Sequence, residues 1–441
     1  MAAVAAIAAL TISLAGCGSS GSGGTGSATE GEITWWGWTP DSNVAARYIA
    51  EFNKEYPDIT VTYKNFENTE YAAALRSGLQ ADSGLDVYDV ALGDQENGFG
   101  RFGEFGLDLK PALEEKFGDD WEDQFNFSHD ALTLEGGQVT AVAIGAVASG
   151  MIWINKTMFD EFGVTPPTTY DEWVKACDVM RERDKECMTM GAVGVTGFDT
   201  ETYRGIVSSL DQSAFIEAIR GERPWDDPVF VRGLEIFKQM QDDGIIRRDV
   251  TGITQYPDAN NAFLSEKAAM VQMGTWYAQY SRVDSAIAAM QASGVTDPEP
   301  FEQLPIPFPA MDGGDVPSVY GEIDYGIAVN ARSENPDAAT TFALWLTTEK
   351  NGAQTVANAI DLIPVLKGVE PAWDDLGLVA PDTQIPAIQD LYAQAAASDE
   401  PRNAESNPEQ LEAIHNAISS VLEGSVAPAD AIATLAKALD N

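Results

Sequence analysis

From residue 33 onward, short runs of β-branched and aromatic residues alternate with stretches whose apolar side chains recur at helical spacing. That alternation marks an α/β chain, in which helices cover both faces of a parallel or mixed sheet. Residues 33–38 (ITWWGW) read as the first strand. Ser42 then caps a helix with Ala45, Tyr48, Ile49, Phe52 and Tyr56 at helical spacing, and Pro57 stops it. Residues 59–63 supply the next strand, 71–79 the next helix, and the nearly all-apolar run 87–92 a buried strand. The alternation continues with strand 151–154, a helix entered by Thr169 with Glu172 at capping-box spacing, strand 325–329, and a helix entered through Pro336. Two amphipathic helices follow, the first striped by Leu411, Ile414, Ile418, Val421 and Leu422, the second by Ile432, Leu435, Ala436 and Leu439. At 441 residues, 44% of them hydrophobic, the chain is long enough for two or three domains with a substantial core.

The first residues follow another pattern. Residues 1–15 carry no charge and as a helix would reach only about 22 Å, short of the ~30 Å hydrocarbon core, which fits the apolar region of a signal peptide rather than a spanning anchor. The sequence Leu14, Ala15, Gly16, Cys17 resembles the lipobox of bacterial lipoproteins. That resemblance implies removal of residues 1–16 and attachment of lipid to the Cys17 thiol. No Lys or Arg precedes Cys17, a departure from the usual signal peptide that points to a start further upstream. Residues 17–31, nearly all Gly, Ser, Thr and Ala, read as a lipidated flexible tether of roughly 20 Å. No other stretch reaches 18 apolar residues, so the rest is expected to sit outside the cell, held at the membrane by lipid alone.

Sixty-nine acidic residues against 26 basic ones give a formal charge of −43, which makes nucleic acid and anionic headgroups poor partners. With two histidines, three cysteines and no metal-ligand spacing, neither a metal site nor a cofactor is expected. Cys177 and Cys187 lie in a compartment where paired cysteines bridge. On one continuous helix their Cα atoms would stand ~15 Å apart, whereas a disulfide needs ~4.4–6.8 Å. A bond therefore requires the helix that begins near Thr169 to stop and the chain to double back; the alternative is two free thiols.

Three segments, taken together and in order, carry a family resemblance. Residues 137–173 (GQVTAVAIGAVASGMIWINKTMFDEFGVTPPTTYDEW), 263–276 (FLSEKAAMVQMGTW) and 326–364, with its Asn-Pro helix start, Phe-x-x-Trp-Leu and Leu-Ile-Pro ending, resemble the extracellular solute-binding proteins of bacterial ATP-driven (ABC) sugar importers, family 1, which includes the maltose-binding protein. The resemblance covers the chain from residue 33 to the last helices. It implies a two-lobed periplasmic-binding-protein-like fold with a hinge and a ligand cleft between the lobes. Crossings would fall near 145–149, 320–324 and 347–350, giving one lobe of residues 32–145 plus 323–347 and a second of 148–320 plus 350–441.

The candidate ligand residues combine aromatic platforms with fixed acceptors and donors, as a sugar's apolar faces and hydroxyl rim require. By the resemblance, the Gly-x-Trp position of Trp276 is one that stacks on sugar rings, and Tyr277 adjoins it. Trp36 and Trp38 end the first strand, where ligands of open α/β sheets collect, although core packing competes for Trp36. Asp94 and Gln95 follow strand 87–92 after Gly93, and Tyr320, Gly321, Glu322 and Asp324 lie on the expected second crossing. Tyr203 is a further candidate near glycine; Trp153, Trp173 and Trp345 are assigned to the core. The function expected is a monomeric, lipid-anchored receptor on the extracellular face of a Gram-positive cytoplasmic membrane, without catalysis, passing a neutral oligosaccharide to permease subunits. The alternative is a secreted glycoside hydrolase working through two carboxylates.

Overall fold

Trp35 and the alternating residues around it set the first sheet. In the computed structural model, which describes residues 27–81, 84–93, 96–194 and 198–439, strand β1 (Gly31–Gly37) pairs in parallel with β2 (Ile59–Asn65) and β3 (Val87–Ala91). Residues 1–26, which include Cys17, the expected signal segment and most of the expected tether, lie outside the described residues, as do Asp94 and Gln95. Strand β9 (Tyr320–Val329) runs antiparallel between β3 and β4 (Val142–Ser149), so the order is β2-β1-β3-β9-β4. Helix Ser42–Glu55 lays Val44, Ala45, Tyr48 and Phe52 into the core, and Phe52 packs edge-on against Phe342 and Trp345 of helix Pro336–Thr348. Helix Lys350–Ala359, expected in the second lobe, packs here too, on both of those helices.

A second sheet, ordered β6-β7-β5-β8, is built from β5 (Met151–Asn155), β6 (Glu186–Thr189), β7 (Ala268–Gln272) and β8 (Gln303–Pro307). Residues 145–149 and 320–324, where crossings were expected, both belong to the first sheet, with Ser149 opposite Tyr320. The chain passes from β4 to β5 at Gly150, whose φ is +97° and whose missing Cβ would meet the Ser318 carbonyl at 3.1 Å. Only glycine satisfies both demands without strain. The two C-terminal helices, Pro408–Leu422 and Pro428–Leu439, pack on helices Asp199–Leu210 and Pro228–Asp242 beside the second sheet. Trp153, Trp173 and Trp345 are buried, as is Trp225.

Helix Tyr170–Glu182 starts as its sequence indicates: the Thr169 hydroxyl accepts from the Glu172 amide at 3.4 Å. It stops at Glu182, the chain turns through Asp184 at φ 58°, and β6 returns alongside. That reversal brings the Cα atoms of Cys177 and Cys187 to 4.9 Å, and the two are bonded. Among the described residues no helix is long and apolar enough to cross a membrane.

Candidate ligand cleft

Trp276 owes its position to the glycine before it. Beyond β7 the chain continues through Met273 to Gly274, where a Cβ would meet the Trp276 ring at 2.1 Å and the Ala148 carbonyl at 2.5 Å. The indole therefore folds back over bare backbone beside the end of β4. The place is fixed by Trp153 Nε1 donating to the Gly274 carbonyl (2.9 Å) and the Ala148 amide donating to the Thr275 hydroxyl (2.9 Å). Trp276 stays half-buried, its Nε1 donating to the Tyr256 hydroxyl at 3.0 Å and its edge meeting Phe198 at 5.9 Å. Tyr256 is itself 47% exposed. These rings make an open aromatic surface on the second-sheet side.

The first-sheet side faces it with acids and one more ring. Trp38, just beyond β1, is half-buried against Tyr71 (5.2 Å) and Tyr325 (5.4 Å). Asp41 accepts from the Tyr280 hydroxyl at 3.2 Å, a contact that joins the two sides. Nearby, Arg47 of helix Ser42–Glu55 pairs with Asp284 of helix Val283–Ala292 at 2.7 Å. Asp324 of β9 is half-buried and has no hydrogen bond among the described residues. Burial pushes its carboxyl up to about 6, with the Arg402 cation opposing. Asp41, Asp324 and Arg402 all act electrostatically on the Tyr256 hydroxyl, so these groups converge on one space.

Between the two sides runs the connection 398–407. Arg402 Nε donates to Glu201 Oε1 at 2.6 Å, and the guanidinium lies 4.9 Å from the centre of the Trp276 ring. Glu201 Oε2 accepts from the Tyr320 hydroxyl at 2.5 Å, and Arg204 stacks on the Tyr320 ring at 3.5 Å while pairing with Glu400 at 2.8 Å. The Gly321 amide donates to the Glu400 carbonyl (2.9 Å), and the amides of Asn403 and Ala404 donate to the two Glu322 oxygens (2.9 and 2.7 Å). Burial pushes Glu322 up to about 7, with those amides and Arg402 opposing. Gly321 and Glu322 thus bond the connection directly, and Tyr320 supports it through Glu201 and Arg204.

Of the residues expected from the sequence, Trp276 and Asp324 both neighbour Tyr256 and Arg402, while Trp38 lies half-buried against Tyr71 and Tyr325. Tyr277 is fully buried against Trp153 and Phe263, its hydroxyl donating to Asn260 at 3.1 Å. Tyr203 is buried with its hydroxyl on the Phe230 carbonyl at 2.8 Å. Trp36 turns to the opposite face from Trp35, under Phe66 and the Lys64 ammonium. Sequence reasoning missed Asp41, Tyr256, Tyr280 and Arg402. A signal existed for Tyr280, four residues after Trp276 in an aromatic run, and for Tyr256, an aromatic before proline; Arg402 stands alone in a polar loop and carries none.

Residues 37–353 match the sequence profile of the bacterial extracellular solute-binding proteins. The chain belongs to that family. Among relatives of this solute-binding protein is the melibiose/raffinose/stachyose-binding protein of Bacillus subtilis (strain 168), 24% identical over 335 residues, 74% of this chain and 71% of the other. Similar solved structures include an ABC substrate-binding protein from Listeria monocytogenes in complex with cycloalternan (TM-score 0.70, 17% identity, 93% of this chain and 98% of that one). Maltose-bound MalE3 of T. maritima gives a TM-score of 0.69 at 19% identity, over 92% and 98% of the two chains. The fold is thus the two-lobed α/β one expected. Among the described residues no group of His, Cys, Asp and Glu is arranged to hold a metal ion.

Proposed function

We propose that this solute-binding protein captures a neutral oligosaccharide between its lobes and delivers it to the permease of an ABC importer. The observation that carries the reading is the half-buried Trp276, its Nε1 on the Tyr256 hydroxyl, facing a side that offers Trp38 and the unpaired Asp324. An aromatic face flanked by fixed acceptors suits the alternating C–H and hydroxyl surfaces of a sugar. The relatives named for raffinose, stachyose, cycloalternan and maltose support the class of ligand. We propose one lobe built on the first sheet, residues 31–149 with 320–359, a second built on the second sheet with the two C-terminal helices, and Cys17 as the lipid attachment point that holds a monomer at the outer face of the membrane.

A glycoside hydrolase needs a free acid beside a second carboxylate. Glu322, the neighbour of Asp324, has both oxygens held by the amides of Asn403 and Ala404, which commits that carboxylate to the connection 398–407. The test is calorimetric titration of the purified protein with raffinose, stachyose and maltotriose, followed by chromatography of each mixture. Saturable binding with intact sugar is expected; release of shorter sugars would establish the hydrolase, and no binding by any of them would sink the carbohydrate reading. Cys17→Ser is expected to release the protein from membranes, and a variant that still sediments with them after alkaline washing would remove the lipid anchor.

A further inference from the structure

Arg402 comes from neither sheet, yet its guanidinium reaches both the Trp276 ring of the second-sheet side and the field of Asp324 on β9. Its side chain is 19% exposed and Nε is fixed by Glu201, which Tyr320 fixes in turn. Glu400, two residues earlier, is clamped by Arg204, and the next two amides are held by Glu322. The arginine is therefore built in from both sides of its own chain. Among the described residues its terminal nitrogens Nη1 and Nη2 have no hydrogen-bond partner, and they are not sealed from solvent. The Asp324 carboxylate, also unpaired, is close enough to act on them, and the Trp276 ring lies 4.9 Å below.

The four donors left on a rigid fork and an acceptor carboxylate have different needs, and a sugar edge meets both. A hydroxyl donates to the carboxylate while its own oxygen, or that of the adjacent hydroxyl, accepts from the fork. We propose that Arg402 is a specificity-determining ligand contact, its terminal nitrogens and the Asp324 carboxylate together gripping a pair of neighbouring hydroxyls on the sugar unit stacked against Trp276. The connection 398–407 is then part of the binding site, not only a link between helices. Three carboxylates, Glu201, Glu322 and Asp324, surround this one cation, so the grip favours an uncharged sugar edge over a uronate or phosphate, whose charge they would repel.

The inference rests on the carbohydrate reading, and the experiment separates the two. Whichever of raffinose, stachyose and maltotriose binds the wild-type protein is titrated into Arg402→Lys, which keeps the charge but loses the fork, and into Asp324→Asn. Each variant is also melted without sugar. A rise in Kd of about tenfold or more in both, with melting close to wild type, is expected for charge-assisted hydrogen bonds removed from a bound sugar. Arg402→Lys together with Trp276→Ala should lose less than the product of the single losses, because both contacts hold the same sugar unit. Affinity within twofold of wild type in Arg402→Lys overturns the proposal and leaves the carbohydrate reading standing. Tighter binding overturns it too, since the guanidinium would then be competing with sugar for the indole. If Arg402→Lys does not fold, Asp324→Asn decides by the same tenfold and twofold limits. Failure of the wild-type protein to bind any of the three sugars overturns the carbohydrate reading and this one with it.

Discussion

At the scale of single residues, neighbours in sequence have opposite fates. Trp276 is half-buried over Gly274 and faces the cleft, while Tyr277 points into the core with no exposed surface. Trp276→Ala should therefore raise the Kd for the bound oligosaccharide about 30-fold or more, the cost of losing a desolvated aromatic anchor, and change the melt of the sugar-free protein much less. Tyr277→Ala should do the reverse and lose about 3–5 kcal/mol of stability through the cavity it leaves. Calorimetric titration and denaturant melts of both variants check the contrast; equal destabilisation by the two would make Trp276 a core residue. A second residue-scale prediction concerns Asp361, buried with the Tyr48 hydroxyl donating to it at 3.3 Å. Burial pushes its carboxyl up to about 7 from an ordinary 3.8. A carboxyl with a raised folded-state value binds its proton more tightly in the native chain, so its contribution to stability is greatest in acid and falls as pH rises to about 7. Asp361→Asn removes that slope, which is at most about 1.4 kcal/mol per pH unit. Melts at pH 5 and pH 8 should show the variant gaining on the wild type at the higher pH; an unchanged difference between the two proteins would refute it.

At the scale of elements, the disulfide gives the clearest case of local logic. A helix that stops at Glu182 and a strand that returns from Glu186 close a loop of ten residues' separation between Cys177 and Cys187. Replacing both cysteines by alanine should lower unfolding stability by about 3 kcal/mol, read as a shift in denaturant midpoint with little change in slope. A midpoint unchanged from wild type would show that the bridge adds nothing. The elements with strong local signals were legible. Pro57 ends the helix at Glu55, Thr169 caps the helix at Tyr170, and Pro336 opens its own. Where tertiary contacts decide, the sequence is silent. Asp41, not Ser42, stands before the first helix, and its carboxylate accepts from Tyr280 rather than capping the amides behind it. Strand β9 begins five residues before its apolar run because Tyr320 and its neighbours pair with β4, a partner some 170 residues away. Trp276 was readable from Gly-x-Trp, whereas Arg402 was not, since its role comes from Glu201 and Trp276, which the fold alone brings to it.

At the scale of the molecule, the contacts that tie Asp41 and helix Ser42–Glu55 to the second-sheet side are weak. The Arg47–Asp284 pair is 31% and 54% exposed, and ion pairs of that kind contribute about 0–1 kcal/mol. The Tyr280–Asp41 hydrogen bond adds a contribution of similar size. A formal charge of −43 spread over one chain adds a general repulsion between its parts. The covalent passage at Gly150 joins two separate sheets, and the apolar core of the first sheet runs on into Trp153, Val271, Met273 and Tyr277 of the second-sheet side. A bound sugar shifts an equilibrium between open and closed lobes only by its differential affinity for the closed arrangement. On the proposed carbohydrate reading Trp276 and Asp324 supply that difference, because one follows the second sheet and the other lies on the first, and a sugar held by both binds the closed arrangement best. X-ray scattering at physiological salt should therefore show a smaller radius of gyration with saturating oligosaccharide than without it. In Asp324→Asn the same sugar, added to the same degree of saturation, should draw the lobes together less completely. Identical profiles with and without sugar in the wild-type protein would mean that the site is preformed, and that ligand energy goes into binding rather than closure.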